Sequence, residues 1–427
     1  MIISCKVSKI DNFSLENQDI EINLSDNKSF TYTFWKKIRK MYQFYDLLAI
    51  DLLYISLLIF AADRLVLRAQ ARDCWSRKIE MNIPVLNLKK WNANRELLQN
   101  MIGFLSGDSW VINFRQRVLN EEEVHYRDKM IASKVLPKSY DRVCMFSGGL
   151  DSFVGVIDIL ESTDTDTLFV SHYGGGKGTK EYQDMLKSTL IEQYNLEERD
   201  FCQFYALAKN GLEDTTRTRS FMFFCHAIAL ASAMGKPVEL IIPENGLISL
   251  NIPITHSRLG TSSTRTTHPH YLQMLQELLG HLGLNISLKN PYQYLTKGEM
   301  LLQCKNQDFL ENELHNTMSC SHPDQGRRRG ATKSCHCGYC LPCVIRKAAI
   351  KRAGLPDESD YFDVLFTSGL TAKTNLNSYK LGLERFDTKF AFLSIQKSGP
   401  ITYDIDDFTQ LYIRGMQEVG KYLEEIG

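Results

Sequence analysis

The stretch SGGLDS at residues 147–152 has the residue types of a phosphate-binding loop. Its two glycines allow positive φ angles and let the backbone approach an anion closely. The hydroxyl groups of Ser147 and Ser152 add hydrogen-bond donors. Asp151 can cap a helix or help to hold a metal ion. We therefore expect this loop to bind a phosphate group.

The segments on either side of the loop predict how its donors are positioned. Residues 143–146 are apolar and predict a strand, and residues 153–160 predict a helix. A strand, a glycine turn and a helix together present backbone N–H groups to an anion at the helix N-terminus. No lysine follows the glycines, so the loop differs from the G-x-x-x-x-G-K-[ST] type.

A cluster of cysteines in the second half of the chain predicts a metal site. Three thiols lie at spacings of three residues, at Cys337, Cys340 and Cys343. A tetrahedral zinc site needs a fourth ligand, and Cys320 and Cys335 compete for that position. Cys335 is only two residues from Cys337, which is too close for both thiols to bind the same ion without strain, so we favour Cys320. Two further donors remain as alternatives, His322 and His336.

Composition restricts the class of protein. The 427 residues include 50 basic and 50 acidic side chains, so a large basic surface for nucleic acid is not required. The most apolar window, residues 47–66, contains Asp51, Asp63 and Arg64, which predicts a buried helix and no membrane span. Eleven cysteines without a recognisable secretory leader indicate a reducing compartment, and we expect a cytoplasmic protein.

Strand and helix patterns alternate through residues 136–355 and predict an α/β domain. The predicted strands are 143–146, 166–171, 238–242 and one from 287; the predicted helices are 153–160, 180–194, 220–234 and 271–283. This alternation predicts a parallel sheet with helices on both faces. Ligands bind such sheets at the carboxyl ends of the strands, where Ser147 falls.

Two flanking regions carry no catalytic motif. Residues 1–135 predict an α+β region of unknown role, with strands at 20–24, 29–34, 80–85 and 110–115 and helices at 42–68 and 92–105. Residues 356–427 predict a mainly helical extension, with a helix at 408–426.

From residue 142 to residue 354 the motifs resemble the QueC family of 7-cyano-7-deazaguanine synthases, within the PP-loop pyrophosphatase superfamily. The loop resembles that superfamily's SGG-x-DS element. The smaller matching elements follow in order: Tyr173-Gly174, with Gly175 where Gln is usual; Arg219-Ser220; the sequence LTKGE at 295–299; and Met318-Ser319-Cys320.

The resemblance implies a PP-loop fold of the HUP-like, adenine nucleotide alpha hydrolase type. It also implies that ATP, with Mg²⁺, is split between the α and β phosphates. The implied ATP-binding residues are Ser147, Gly148, Gly149, Leu150, Asp151, Ser152, Tyr173 and Arg219. The implied catalytic residues are Asp151, Arg219 and Lys297. The implied ligands of a structural Zn²⁺ are Cys320, Cys337, Cys340 and Cys343.

The chain also departs from the family. Family enzymes are shorter and lack both flanking regions. Their substrate segment is replaced here by residues 243–249 and 258–269, which are rich in hydroxyl groups and resemble the QatC group of anti-phage defence proteins. We expect this segment to bind a carboxylate substrate, because Arg supplies bidentate donors. The candidate substrate residues are Glu244, Asn245, Arg258, Arg265 and His268.

The resemblance implies adenylation of a small-molecule carboxylate, a 7-carboxy-7-deazaguanine, followed by attack of an amine to give an amide or a nitrile. We expect a protein partner encoded in the same defence operon, and neither nucleic acid nor membrane as a required partner. Two alternatives stay open: a PP-loop enzyme that modifies a base in tRNA or DNA, and an ATP-binding scaffold of a defence complex.

Overall fold

The computed structural model describes the whole chain apart from residues 40, 42, 163–164, 175, 215–216, 254–264, 329, 331 and 427. Its strands are β1 (Ile2–Lys6), β2 (Ile20–Asn23), β3 (Phe30–Tyr32), β4 (Lys78–Val85), β5 (Ser109–Gln116), β6 (Arg142–Met145), β7 (Thr167–Tyr173), β8 (Phe201–Ala208), β9 (Val238–Ile241) and β10 (Ile286–Lys289).

The helices are α1 (Phe34–Ile38), α2 (Leu47–Leu65), α3 (Leu88–Ala93), α4 (Arg95–Ser106), α5 (Glu121–Ala132), α6 (Leu150–Leu160), α7 (Lys177–Tyr194), α8 (Arg219–Ser232), α9 (Gly246–Leu250), α10 (Pro269–Leu282), α11 (Lys297–Gln303), α12 (Gln307–Glu313), α13 (Gln325–Arg328), α14 (Leu341–Ala353), α15 (Leu370–Glu384), α16 (Ala391–Ile395) and α17 (Ile405–Glu424).

The larger sheet has the strand order β10-β9-β6-β7-β8-β3. All neighbours in it are parallel except β3, which pairs antiparallel with β8. The parallel α/β architecture expected for the middle of the chain is therefore confirmed, and the sheet is consistent with a Rossmann-like fold. Strand β6 lies inside the sheet, so the loop after it opens at the carboxyl edge between neighbouring strands.

The N-terminal region differs from the expected α+β arrangement. Its own sheet has the order β2-β1-β4-β5, and every pair in it is parallel. Strands β2 and β3 follow each other in the chain but belong to different sheets, so the turn between them forms no hairpin. Because β3 completes the larger sheet, the N-terminal region shares a hydrogen-bonded ladder with the middle of the chain.

Helix α2 is buried along almost its whole length and joins the two regions. It packs against α8 within one continuous hydrophobic core. Its two buried carboxylates are paired: Asp51 with Arg117 at 2.7 Å and Asp63 with Arg77 at 2.5 Å. Within the described residues, no helix combines the length and the apolar character that a membrane crossing needs.

The C-terminal helices form a second hydrophobic core with the cysteine-rich segment. Helix α17 contacts α14 and α9, and α14 packs along α11. Helix α17 is amphipathic, and the buried residues on its inner face include Phe408, Leu411, Met416 and Val419. The extension is thus packed onto α9, which lies between β9 and β10, and onto α14, which follows the larger sheet.

Candidate active site and metal centre

The glycine loop turns sharply between β6 and α6. Gly148 has φ +82°, and a Cβ added there would lie 2.8 Å from Cγ of Gln183. Gly149 is the residue immediately before α6, and the Ser147 and Ser152 hydroxyl oxygens are 3.1 Å apart. The first amides of a helix have no carbonyl partner within it, so this turn forms a cradle that suits a phosphate.

Asp151 and Lys297 form a buried ion pair beside this loop. Their Oδ1 and Nζ atoms are 2.7 Å apart, and the two residues are 6% and 4% exposed. Asp151 is the second residue of α6, and Lys297 is the first residue of α11. Two of the three residues expected to be catalytic therefore meet, although 146 positions separate them in the sequence.

Two residues from the predicted substrate segment also reach Asp151. The Asn245 side-chain amide donates to Asp151 Oδ2 at 2.7 Å, and its backbone N–H donates to the same oxygen at 3.3 Å. The Asn245 amide nitrogen is 3.5 Å from Glu244 Oε1. Asn245 also caps α9 by accepting a bond from the N–H of Ile248 at 3.0 Å. Glu244 and Asn245 thus line the ion-paired site.

The two carboxyl groups in this site differ in proton affinity. Burial opposes ionisation of Asp151, but the Lys297 ammonium and the side-chain hydrogen bonds from Glu244, Lys297 and Asn245 outweigh burial and lower its pKa. Burial and the nearby Asp151 charge together raise the pKa of Glu244 well above its ordinary value. The geometry therefore favours an ionised Asp151 and a protonated Glu244 around one lysine.

The segment before the cysteine knuckle contacts the same loop. The Met318 N–H donates to the Gly148 carbonyl at 2.8 Å, and the Leu150 N–H donates to Ser319 Oγ at 3.2 Å. Ser319 precedes Cys320 directly. The loop and the cysteine cluster are therefore joined by a single short stretch of backbone.

Arg219 and Tyr173 lie on the neighbouring elements of the larger sheet. Arg219 is the first residue of α8 and is exposed; its charge contributes, after burial, to lowering the pKa of His172. Tyr173 ends β7, and its ring lies 5.2 Å from that of Tyr205. Neither residue contacts Asp151 or Lys297 directly in the described part of the chain.

The other predicted substrate residues are placed away from this ion pair. Arg265 donates to the Phe104 carbonyl at 2.7 Å and stacks on the Phe104 ring. His268 caps α10 and packs against the same ring. Both side chains join α10 to the N-terminal region. Arg258 lies outside the described residues.

Four thiols come together as a candidate metal centre. The Sγ atoms of Cys320, Cys337, Cys340 and Cys343 all lie within 4.8 Å of one another. Three of their separations are 4.0, 3.9 and 3.4 Å. Tetrahedral zinc with Zn–S bonds of about 2.3 Å requires sulfur separations of about 3.8 Å. The cluster is therefore compatible with zinc.

The backbone supports this thiol cluster. The Cys337 N–H donates to Cys320 Sγ at 3.2 Å, and the Cys340 N–H donates to Cys337 Sγ at 3.4 Å. Cys335 does not belong to the four-thiol group among the described residues. The fourth thiol of the cluster is therefore that of Cys320, as we expect from the sequence. A site of four thiolates leaves no open position on the metal, which is typical of a structural ion.

The comparison with protein families matches this part of the chain. Residues 261–354 match the family model described as queuosine biosynthesis protein QueC. The match covers less than a quarter of the chain, and it includes Lys297 and the four thiols but begins after the glycine loop. It supports a QueC-like family. No curated protein gives a significant match.

Several residues of the site carried no signal in the sequence. The Gln183 side chain on α7 donates to the Ser147 carbonyl at 2.9 Å and to the His172 carbonyl at 3.1 Å, so it fixes the loop from a neighbouring helix. A glutamine on a polar helix is ordinary, and only the fold reveals its contacts. The same is true of Arg414 and Glu418 near the C-terminus, which contact the residues on either side of Lys297.

Proposed function

We propose that this protein is an ATP-dependent synthase of the QueC-like type that adenylates a carboxylate. The observation that carries the proposal is the ion pair between Lys297, within the family match, and Asp151, in the glycine loop outside it. A buried cation beside a phosphate-type cradle is suited to stabilising charge that develops at a phosphate. The thiol cluster and the loop are linked through Ser319, which supports one functional unit.

In the proposed reaction, a carboxylate oxygen attacks the α-phosphorus of ATP, and the bond to the bridging oxygen breaks. Pyrophosphate leaves, and an acyl adenylate remains. An amine then attacks the acyl carbon and loses a proton, and AMP leaves as the amide forms. Loop amides and the hydroxyls of Ser147 and Ser152 would hold phosphate oxygens, while Lys297 and Arg219 would offset their charge. Mg²⁺ would neutralise further phosphate charge, and Zn²⁺ would hold the segment at 318–343 in place.

The carboxylate we propose is a 7-carboxy-7-deazaguanine, and the product is an amide or, after a second round, a nitrile. The extra regions favour a larger amine than ammonia. We propose a protein partner from the same anti-phage defence operon as its source. The substrate segment supports a different amine, because it connects the site with an extra region. Glu244 and Asn245 lie against Asp151, while Arg265 and His268 contact the N-terminal region.

The experiment incubates the protein with ATP, Mg²⁺ and 7-carboxy-7-deazaguanine, with ammonium or with proteins encoded beside it, and weighs all products by intact mass spectrometry. The proposal expects AMP, pyrophosphate and an amide mass on the partner. Free nitrile without a partner adduct would refute the protein acceptor. ATP binding without turnover, in wild type and in Ser147→Ala alike, would identify a scaffold instead. A salt-dependent shift of tRNA or DNA with a modified base would identify the nucleic-acid alternative.

A further inference from the structure

The C-terminal helix α17 holds the start of α11, the helix that begins with Lys297. The Glu418 carboxylate on α17 accepts a bond from Thr296 Oγ1 at 2.6 Å and one from the Gly298 N–H at 3.0 Å. Thr296 and Gly298 flank Lys297 on both sides. Arg352 of α14 also donates to Glu418, at 2.8 Å. One carboxylate thus ties three separate segments together at the lysine.

A second residue of α17 strengthens this contact. Arg414 lies one turn before Glu418, so both side chains leave the same face of the helix. Its guanidinium donates to Glu299 at 2.8 Å and to the Tyr294 carbonyl at 2.8 Å. Glu299 in turn accepts from the Thr296 N–H at 2.9 Å, which forms the capping box of α11. Helix α17 therefore contacts the backbone before Lys297 and the first turn after it.

Burial and shape show that these contacts are close. The Glu418 side chain is 2% exposed. A Cβ added at Gly298 would lie 2.6 Å from Glu418 Oε2, so any larger residue there would force the Glu418 carboxylate to move. A carboxylate also stabilises the first turn of a helix, where backbone N–H groups lack partners. Moving Glu418 would therefore shift or loosen the turn that carries Lys297.

We propose that Glu418 is a positioning residue that orients Lys297 toward Asp151 and the glycine loop. Glu418 lies outside the family match at 261–354, so the C-terminal extension supplies a support that the matched segment does not contain. The inference rests on the proposed function only for the role of Lys297. The anchoring of α11 by α17 stands on the contacts alone.

The activity test compares Glu418→Ala and Glu418→Gln with wild type. Glu424→Ala is the matched control, because Glu424 lies on the same helix but is exposed. We expect Glu418→Ala to lower kcat for pyrophosphate release by about 10- to 100-fold, the range for a misplaced reacting group, with KM for ATP nearly unchanged. Glu418→Gln should recover much of the loss, since its amide oxygen still accepts a bond. Full activity of Glu418→Ala would overturn the inference.

A double variant separates positioning from general damage. If Glu418 acts through Lys297, Lys297→Met/Glu418→Ala will be no slower than Lys297→Met alone. Multiplied losses in the double variant would contradict that route. Amide hydrogen exchange gives a readout that does not depend on turnover: Glu418→Ala should speed exchange in residues 296–303 and leave residues 147–152 unchanged. If wild type releases no pyrophosphate, the proposed function is refuted. If amide exchange in residues 296–303 is the same in Glu418→Ala as in wild type, the anchoring of α11 by Glu418 is refuted.

Discussion

Replacing Lys297 with Met tests the buried ion pair at the glycine loop. The variant keeps an unbranched side chain of similar length but leaves Asp151, which is 6% exposed, without its cation. Removing one partner of a buried pair costs about 3–5 kcal/mol. Because both Asn245 donors remain on Asp151, we expect the free energy of unfolding to fall by about 3 kcal/mol, at the lower end of that range.

Urea unfolding followed by far-ultraviolet circular dichroism measures this change. Adding Asp151→Asn to Lys297→Met should restore most of the lost stability, because no unpaired charge then remains. Each single variant alone should be less stable than the double variant. A Lys297→Met protein as stable as wild type at pH 7 would refute the reasoning, since the ion pair would then contribute nothing.

The stability that the Asp151–Lys297 ion pair contributes depends on pH. The folded state lowers the pKa of Asp151, so the pair stabilises the fold fully above the ordinary Asp pKa of about 3.9. This contribution is lost as the pH falls through the folded pKa. The stability difference between wild type and Lys297→Met should therefore be larger from pH 6 to 8 than at acid pH. It should shrink as the pH falls toward and below about 4, because burial without the lysine raises the pKa of Asp151 in the variant.

Three further outcomes follow from the site. Gly148→Ala should abolish ATP-dependent turnover and lower the melting temperature in a thermal scan, because the position has φ +82° and a Cβ there would meet Gln183 at 2.8 Å; a fully active variant would contradict the close-packed turn. Cys320→Ser should lose bound zinc in elemental analysis, whereas Cys335→Ser should keep one ion per chain; equal zinc content in both would contradict the ligand set. Burial and the Asp151 charge raise the pKa of Glu244, so the contribution of Glu244 to stability falls as the pH rises above about 4.3. The stability of Glu244→Gln relative to wild type should therefore increase between pH 5 and 8; an unchanged difference would contradict the raised pKa.

The local motifs were predictable from the sequence because each depends on residues close together in the chain. The glycine loop follows from the apolar strand before it and the helix after it, and both are present as β6 and α6. The cysteine knuckle follows from its spacing. The short spacing between Cys335 and Cys337 disfavours Cys335 as a ligand of the same ion and so favours Cys320. The four-thiol cluster contains Cys320.

Long-range pairings were not predictable in the same way. Strand β8 was not predicted, although its residues alternate between buried and partly exposed. Strand β1 was not predicted either, because its short apolar run is too short to show a strand or helix periodicity. Nothing in the local pattern of residues 30–32 indicates that they leave the first sheet and pair with β8. The residue types alone predict one substrate-binding segment, yet the Asn245 side chain contacts Asp151 while the Arg265 side chain contacts Phe104.

The measurement that tests the central claim most directly is the fate of radiolabelled ATP. With label at the α-phosphate, and with a 7-carboxy-7-deazaguanine and ammonium as the amine present, the account predicts labelled AMP and unlabelled pyrophosphate in equal amounts, dependent on the carboxylate and lost in Lys297→Met. Labelled ADP with free phosphate, or AMP formed equally without any carboxylate, would contradict adenylation at this site.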